Sequence, residues 1–277
     1  MEDRIAEVVA RVTGRRAAKP EEDLALDSLG AAELVLALEE EFDCRLRDDE
    51  IPRSVADALR SLGVAEPQAG RTLRPGIGHL QWVPEAMGGA ALSRFFRLRV
   101  EGADRVPADG AVVLASNHDS LLDIPFLAIA SPRRVWFMAK RELFRPGFPT
   151  WFFHVLGGFP VDRVGPDLEA VRSALEVLEA GRALGMYPEG TRSRDFLPFL
   201  PGAAWLAMAA GAPLVPVGIS GTADAMPSGS RTPRRTHVRV RFGEPRSPGK
   251  EDDPLARLKR AREVTEELRV DVERLLD

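Results

Sequence analysis

Residues 111–123 are AVVLASNHDSLLD, and this stretch decides the fold of the larger part of the chain. Its first half, from Ala111 to Ser116, is a short apolar run of the kind that forms a buried strand. Polar residues follow immediately, beginning with Asn117 and His118. Open sheets of parallel strands bind ligands outside the carboxyl ends of their strands. The stretch therefore predicts a buried strand that delivers a histidine to a functional site.

Strand-like and helix-like segments alternate on both sides of this strand. An amphipathic helix is expected over 84–96. The apolar segments that follow it are 98–100, 111–115, 121–130, 134–138, 168–180, 183–187, 203–210, 214–219 and 238–242, and a helix over 254–276 closes the chain. Such alternation predicts an α/β domain with a mostly parallel central sheet.

The first 66 residues have a different pattern, with apolar side chains at helical spacing in three short segments. The side chains that define these helices are Ile5, Val8, Val9, Val12, Leu34, Leu38, Phe42, Val55, Leu59 and Leu62. A stretch rich in Pro, Gly and polar residues comes next, as in a linker. We therefore expect an all-α bundle over 1–66, a linker over 67–83 and the α/β domain over 84–277.

Charge is distributed unevenly between these parts. The net charge of the chain is -4, but residues 1–66 carry -8 and the remainder carries +4. The sequence has no dense stripe of Lys and Arg with interleaved aromatic residues, so nucleic acid is not an expected partner. An acidic module beside a basic one indicates either mutual docking or separate partners.

Cysteine content and hydropathy indicate the compartment. Cys44 is the only cysteine, which excludes a disulfide within the chain and favours a reducing compartment. The N-terminal segment lacks the apolar core of a signal peptide. The uncharged stretch 196–223 is interrupted by several Pro and Gly residues, so we expect no membrane-spanning helix there. The expected location is the cytoplasm.

His118 and Asp123 are spaced five residues apart across a predicted strand-to-helix turn. This spacing allows the carboxylate to contact one imidazole nitrogen and leaves the other nitrogen available as a base. Metal ligation is the alternative, but the remaining histidines lie in unrelated contexts, so no metal is expected. A serine hydrolase would require a G-x-S-x-G elbow, which is absent from the sequence. A His–Asp dyad is therefore one candidate catalytic group.

Two predicted turns carry arginines, Arg163 in GGFPVDR and Arg192 in YPEGTRSR. A turn with glycine, a small hydroxyl residue and arginine suits a phosphate group, because guanidinium offers forked donors and glycine allows close backbone approach. Loop arginines in salt bridges are the alternative interpretation.

The blocks NHDSLLD, GGFPVDR, YPEGTRSR and PLVPVGI, in this order, resemble the glycerol-3-phosphate and 1-acylglycerol-3-phosphate acyltransferase family. The resemblance spans about residues 100–245. It implies an HX4D motif in which His118 is the general base and Asp123 holds its imidazole. It also implies that the acceptor is bound by Arg163, Glu189, Gly190, Thr191 and Arg192. Pro201 stands where many relatives carry a basic residue, which leaves the acceptor preference open.

The segment DLALDSLGAAELVLALEEEFDCRL resembles acyl carrier proteins, and the resemblance covers nearly all of residues 1–66. Taken by its position alone, Ser28 is better interpreted as an ordinary helix N-cap. The resemblance implies instead that Ser28 carries 4'-phosphopantetheine, added by a phosphopantetheinyl transferase. It also implies that the acidic helix after Ser28 is a recognition surface for partner enzymes.

Taken together, the two resemblances imply a thioester-dependent O-acyltransferase with a fused carrier. The expected reaction transfers a fatty acyl group from an acyl carrier protein or acyl-CoA to a lysophospholipid or glycerol 3-phosphate, in phospholipid synthesis. Two alternatives remain, which are acylation of a polyketide or peptide intermediate and a non-catalytic docking scaffold. Aromatic residues near arginines, in 147–159 and at Phe95 and Phe96, suggest peripheral contact with the inner face of a membrane or, alternatively, simple core.

Overall fold

The computed structural model describes residues 1–17, 19–47, 51–67, 82–140, 158–161, 168–227, 230 and 232–277. The N-terminal part contains helices α1 (Glu2–Thr13), α2 (Ser28–Phe42) and α3 (Val55–Gly63). Two short strands, β1 (Cys44–Arg45) and β2 (Glu66–Pro67), pair antiparallel beside them. The predicted helical bundle is therefore confirmed.

Helix boundaries in the bundle follow from local chemistry. Helix α1 buries the apolar face formed by Ile5, Val8, Val9 and Val12. It ends at Gly14, whose φ of 73° lies in the left-handed region that glycine adopts without strain. The side chain of Ser54 caps α3 by accepting a hydrogen bond from the Asp57 amide.

The C-terminal part contains α4 (Trp82–Phe95), β3 (Arg99–Glu101), a 3-10 turn (Ala103–Arg105), β4 (Val112–Ser116), α5 (Asp123–Ala130), β5 (Val135–Lys140), β6 (Gly158–Val161), α6 (Leu168–Glu179), β7 (Ala183–Met186), α7 (Gly202–Ala210), β8 (Leu214–Ser220), α8 (Thr222–Ala225), β9 (Arg239–Phe242) and α9 (Pro254–Leu276). Seven of these strands form a sheet in the order β3-β9-β8-β4-β7-β5-β6.

The sheet is mostly parallel, as the alternating pattern predicted. Strand β4 lies at its centre and pairs parallel with both β7 and β8. Only β9 pairs antiparallel, against β8, and β3 joins β9 in parallel register. Every residue of β4 is buried, because helices cover both faces of the sheet. The carboxyl end of β4 is thereby fixed at the middle of one edge of the sheet.

The bundle and the α/β domain share one hydrophobic core. Residues of α1 and α2 pack in the same apolar cluster as residues of α7 and α9, including Leu206, Leu258 and Ala261. Helix α9 begins at Asp253, whose side chain accepts a hydrogen bond from the Ala256 amide, with Pro254 in the first turn. The opposite charges of the two parts indicated either mutual docking or separate partners. The structure shows that the two parts dock on each other.

Buried ion pairs cross this contact. Glu33 of α2 is fully buried and accepts hydrogen bonds from the guanidinium of Arg257 and the indole N–H of Trp205. Glu39, one and a half turns later, pairs with Arg172 of α6. Removing one partner of such a buried pair costs about 3–5 kcal/mol, because the other charge remains buried without compensation. The orientation of α2 on the α/β domain is therefore strongly specified.

Phe96 does not form a surface patch with Phe95. Its ring is 1% exposed and makes an edge-to-face contact with Phe126, whereas Phe95 is 45% exposed. Phe96 is the more buried because it faces the apolar layer under β9 and α5. Most of the aromatic segment 147–159 lies outside the described residues. No helix among the described residues is long and apolar enough to span a bilayer.

Candidate active site

His118 lies just beyond the end of β4, after Asn117, and contacts the carboxylate of Asp123. Its Nδ1 lies 2.9 Å from Asp123 Oδ2, and both side chains are buried. An ionised carboxylate only accepts hydrogen bonds, so the neutral imidazole carries its proton on Nδ1. The lone pair is then on Nε2, the nitrogen that the dyad leaves available as a base. The structure thus brings His118 and Asp123 together as the spacing predicted.

Asp123 also organises the backbone of the turn. Its Oδ2 accepts hydrogen bonds of 2.8 Å from the amides of both Asp119 and Ser120. The Ser120 hydroxyl donates to the Met226 carbonyl at 3.2 Å and accepts from the Leu122 amide at 3.3 Å. Helix α5 starts at Asp123, and its N-cap residue Leu122 makes no side-chain cap hydrogen bond. One oxygen atom therefore sets both the turn and the imidazole.

Tyr187 packs flat against the imidazole. The centroids of the His118 and Tyr187 rings are 4.2 Å apart, with 22° between their planes. The Tyr187 hydroxyl is buried and has no hydrogen-bond partner within the described part of the chain. Burial raises the pKa of this phenol well above its ordinary value, and the nearby Asp123 carboxylate adds to the effect. Tyr187 therefore stays neutral and limits rotation of the imidazole.

Asn117 ties the end of β4 to the neighbouring strand β8. Its amide oxygen accepts from the Ile219 N–H at 2.8 Å, and its NH₂ group donates to the Ile219 carbonyl at 2.9 Å. A single buried side chain thus replaces one step of the backbone ladder where the strands end. This bond fixes the residue that precedes His118.

Glu189 holds two backbone segments together. Its Oε1 accepts from the His118 amide at 2.7 Å, and its Oε2 accepts from the Leu197 amide at 3.2 Å. Both carboxylate oxygens are therefore used within the protein. Burial raises the pKa of Glu189, while these two amide hydrogen bonds act in the opposite direction. The carboxylate links the histidine to the loop between β7 and α7.

Asp119 supplies a second titratable carboxyl beside the dyad. Burial raises its pKa to about 6, and the Asp123 carboxylate adds to the rise, against a hydrogen bond from Asn117. The centre therefore contains one carboxyl group that changes charge close to neutral pH.

The turn after β7 brings three of the other predicted residues close to His118. The Ser193 amide donates to the His118 carbonyl at 2.9 Å, which places the preceding residues Thr191 and Arg192 beside the histidine. Both of these side chains are exposed. Gly190 has a φ of 70°, so the turn needs glycine here. Arg163 lies outside the described residues.

Ser28 is the first residue of α2, not its cap. Asp27 is the N-cap and accepts a hydrogen bond of 2.8 Å from the Gly30 amide. Ser28 is exposed. A cavity of about 310 Å³ lies beside it, lined in part by Leu26, Ala31 and Ile51. The position thus combines an accessible hydroxyl, a helix N-terminus that favours an anion and an adjacent partly apolar cavity.

Asn117, Asp119 and Tyr187 were not assigned roles from the sequence. Asn117 carried a signal, because a polar amide directly after a buried strand needs partners. The stacking of Tyr187 depends on the pairing of β4 with β7, which no local pattern reveals. Among the described residues, no group of three or more His, Cys, Asp or Glu side chains is placed to hold a metal ion.

Comparison with known proteins agrees with this geometry. The chain matches the family model described as Acyltransferase over residues 97–220 and the model described as Phosphopantetheine attachment site over residues 3–60. The 1-acyl-sn-glycerol-3-phosphate acyltransferase of Bacillus subtilis is 30% identical over 53% of this chain and 73% of its own length. The chloroplastic enzyme BAT2 of Brassica napus is 31% identical over 49% of this chain, which spans only 41% of that relative.

A solved structure shows the same fold. The crystal structure of the 1-acyl-sn-glycerophosphate acyltransferase PlsC from Thermotoga maritima superposes with a TM-score of 0.51 at 28% identity, covering 70% of this chain and 85% of that one. The mostly parallel sheet and these matches together identify the α/β part as an acyltransferase of the glycerolipid type. The chain belongs to the acyltransferase family, and its N-terminal part is a phosphopantetheine-attachment domain.

Proposed function

We propose that this chain transfers a fatty acyl group from a thioester to the hydroxyl of 1-acylglycerol 3-phosphate or glycerol 3-phosphate, in phospholipid synthesis. The observation that carries the proposal is the buried contact between His118 and Asp123 at the carboxyl end of β4. Its relatives from Bacillus subtilis and Brassica napus are named as 1-acylglycerol-3-phosphate acyltransferases, which supports this acceptor class.

The reaction follows from the tautomer of His118. Nε2 takes the proton of the acceptor hydroxyl as the oxygen forms a bond to the thioester carbonyl carbon. The carbon–sulfur bond then breaks, and the imidazolium returns the proton to the leaving thiolate. The products are an ester and a free thiol, and the imidazole is neutral again. Asp123 stabilises the transient imidazolium because its carboxylate lies 2.9 Å from Nδ1.

The acceptor phosphate binds at the turn after β7 in this proposal. Arg192 is exposed on a turn whose Ser193 amide is bonded to the His118 carbonyl, which supports a phosphate site close to the base. Thr191 and the Gly190 backbone add neutral polar groups on the same turn, and Arg163 supplies a second guanidinium. Arginine suits this role because its forked donors match phosphate oxygens. Glu189 shapes the turn from behind by holding the Leu197 amide.

The acyl donor is a thioester on 4'-phosphopantetheine attached to Ser28, added by a phosphopantetheinyl transferase. The match to the attachment-site family over 3–60 supports the group, and the exposure of Ser28 supports the residue. The cavity beside Ser28 shelters part of the arm or its acyl chain. We propose 1–66 as the carrier domain, 67–83 as the linker and 84–277 as the acyltransferase domain.

The lipid acceptor favours action at the cytoplasmic face of the inner membrane, with peripheral contact. Phe95 is 45% exposed between Arg94 and Arg97, which gives one aromatic side chain among cations. Flotation with vesicles containing anionic lipid tests this contact. Wild type is expected to float with the vesicles, and the variant Phe95→Ser is expected to float less. Equal recovery of both chains in the dense fraction would count against it.

Acyl transfer is tested with palmitoyl-CoA or a palmitoylated carrier domain as donor and with 1-oleoylglycerol 3-phosphate, glycerol 3-phosphate or a neutral alcohol as acceptor. Formation of phosphatidate by wild type, and its loss in a folded His118→Ala variant, supports the proposal. Transfer that survives in His118→Ala contradicts it. Preference for the neutral alcohol would contradict the phosphate acceptor.

A further inference from the structure

Helix α2 is buried on nearly all sides between Gly30 and Glu39, which is unusual for a helix of a small bundle. All but one of the residues from Gly30 to Glu39 are buried, including the acids Glu33 and Glu39. One side of the helix packs on α1, and the other side meets α9. A helix that is buried on nearly all sides has packing partners on nearly all sides. The second partner of α2 is the acyltransferase domain itself.

The buried carboxylates on the face of α2 toward the acyltransferase domain all have hydrogen-bond partners. Glu33 accepts hydrogen bonds from Arg257 and Trp205. Glu39 accepts hydrogen bonds from Arg172 and from the Leu46 amide. We call these two groups of contacts the clasp. The acidic face that the resemblance assigned to outside enzymes is thus occupied within the chain at Glu33 and Glu39. Glu41 is also engaged, by Arg4 and Arg11 of α1.

The clasp fixes the direction in which α2 points. Asp27, at its start, pairs with Arg262 of α9, and Glu33 pairs with Arg257, which comes earlier in α9. The two helices therefore run antiparallel, and the N-terminal end of α2 faces toward the C-terminal half of α9. That end carries Ser28.

Helix α9 leads from Ser28 to the candidate active site. Arg262 and Arg269 are seven residues apart, so they share one side of α9 at a separation of about 10 Å along its axis. The Arg269 guanidinium lies 5.5 Å from the centre of the Phe196 ring. The next residue, Leu197, donates its amide to Glu189, which in turn accepts the His118 amide.

A phosphopantetheine arm is longer than the segment of α9 between Arg262 and Arg269. Its chain has about as many bonds as five peptide residues, which extend to roughly 16–18 Å. From Ser28 an arm of this length can follow α9 toward the loop in which Leu197 is linked through Glu189 to His118. A tethered donor held in this direction has a high effective concentration at the base.

We propose that the clasp makes the carrier a dedicated donor in cis, so that each acyltransferase centre takes its acyl group from the Ser28 arm of its own chain. The inference rests on the proposed acyl transfer and goes beyond it by excluding the carrier of another chain. It predicts that discharge of the arm is a first-order process within one chain.

Mixing two inactive variants tests the proposal. His118→Ala, loaded with palmitoyl-phosphopantetheine on Ser28, has a donor but no base. Ser28→Ala has the base but no arm. With 1-oleoylglycerol 3-phosphate, the loaded wild type is expected to discharge at a rate constant independent of chain concentration, and the mixture is expected not to discharge. Discharge by the mixture at a rate approaching that of wild type would overturn donation in cis. Failure of the wild type itself would overturn the proposed acyl transfer instead.

The clasp is tested separately with Glu33→Gln, which keeps the side-chain volume and a partner for Trp205. We expect cis discharge to fall by about tenfold or more because the arm loses its fixed direction. Transfer from free palmitoyl-CoA is expected to stay within about twofold of wild type, since the active centre is untouched. The matched control Arg260→Gln removes an exposed cation of α9 that pairs with Glu263. Unchanged cis discharge in Glu33→Gln would show that the clasp does not direct donation.

Discussion

Replacing Asp123 by Asn tests the proposed role of its charge, because the substitution preserves the shape of the side chain. The amide oxygen of Asn can still accept the three N–H bonds that converge on Oδ2, from His118, Asp119 and Ser120. The turn and the imidazole should therefore keep their positions. What disappears is the negative charge that faces the imidazolium during proton transfer.

The size of the effect follows from the separation of the charges. Two unit charges about 4 Å apart interact by about 4 kcal/mol at an effective dielectric constant of 20, the value suited to such sites. A barrier raised by that amount corresponds to a rate about a thousandfold lower. We expect kcat to fall by about this factor and KM for the acceptor to change little, because Asp123 does not contact the acceptor in the proposed geometry.

The assay is single-turnover formation of phosphatidate from saturating acceptor, with circular dichroism to verify the fold. Asp195→Asn is the matched control, since Asp195 is an exposed carboxylate in the neighbouring loop and should leave the rate unchanged. A loss of less than about tenfold in a folded Asp123→Asn chain would refute the assigned role, because general acid–base catalysis supplies at least about a hundredfold.

Three further substitutions probe the surroundings of the dyad. Burial raises the pKa of Asp119 to about 6, so the protonated carboxyl contributes stability below about pH 4, and this contribution is lost as the pH rises through 6. The variant Asp119→Asn should therefore show a flatter dependence of melting temperature on pH between about 4 and 6. An unchanged slope would contradict the raised pKa. Tyr187→Phe removes a buried hydroxyl without a described partner, so we expect an equal or higher melting temperature with activity retained. Tyr187→Leu should instead lower kcat, because the imidazole of His118 loses the ring that limits its rotation. A destabilised Tyr187→Phe chain would show that the hydroxyl has a partner. Gly185→Ala would place a methyl group 2.4 Å from the Phe137 ring. The free energy of unfolding, measured with denaturant, is therefore expected to fall by about 1–3 kcal/mol. A variant as stable as wild type would contradict this close packing.

The sequence was sufficient for the parts of the fold that depend on local patterns. The apolar run before Asn117 identified the central strand, because a buried strand needs uninterrupted apolar residues. The spacing of His118 and Asp123 identified their contact, since a strand-to-helix turn brings such residues together. The order of the strands was not predictable in this way, because pairing of β4 with β7 and β8 joins segments up to a hundred residues apart.

The sequence did not show how the bundle docks on the α/β domain. Glu33 and Glu39 belong to the acidic helix that the resemblance assigns to partner enzymes, whereas the structure buries both. Their pattern alone did not distinguish the two outcomes, because a buried carboxylate depends on cations such as Arg172 and Arg257 that lie far away in the sequence. The sequence predicted one apolar face of α2, with Leu34, Leu38 and Phe42, and did not reveal its contact with α9.

The measurement that most directly tests the central claim is intact-protein mass spectrometry of a chain loaded with palmitoyl-phosphopantetheine on Ser28, before and after addition of 1-oleoylglycerol 3-phosphate. Loss of the palmitoyl mass with formation of phosphatidate is expected in wild type, and the palmitoyl mass should persist in a folded His118→Ala chain. If the palmitoyl group stays on the wild-type arm, or leaves equally fast without His118, the account of this chain as an acyltransferase that uses its own carrier is wrong.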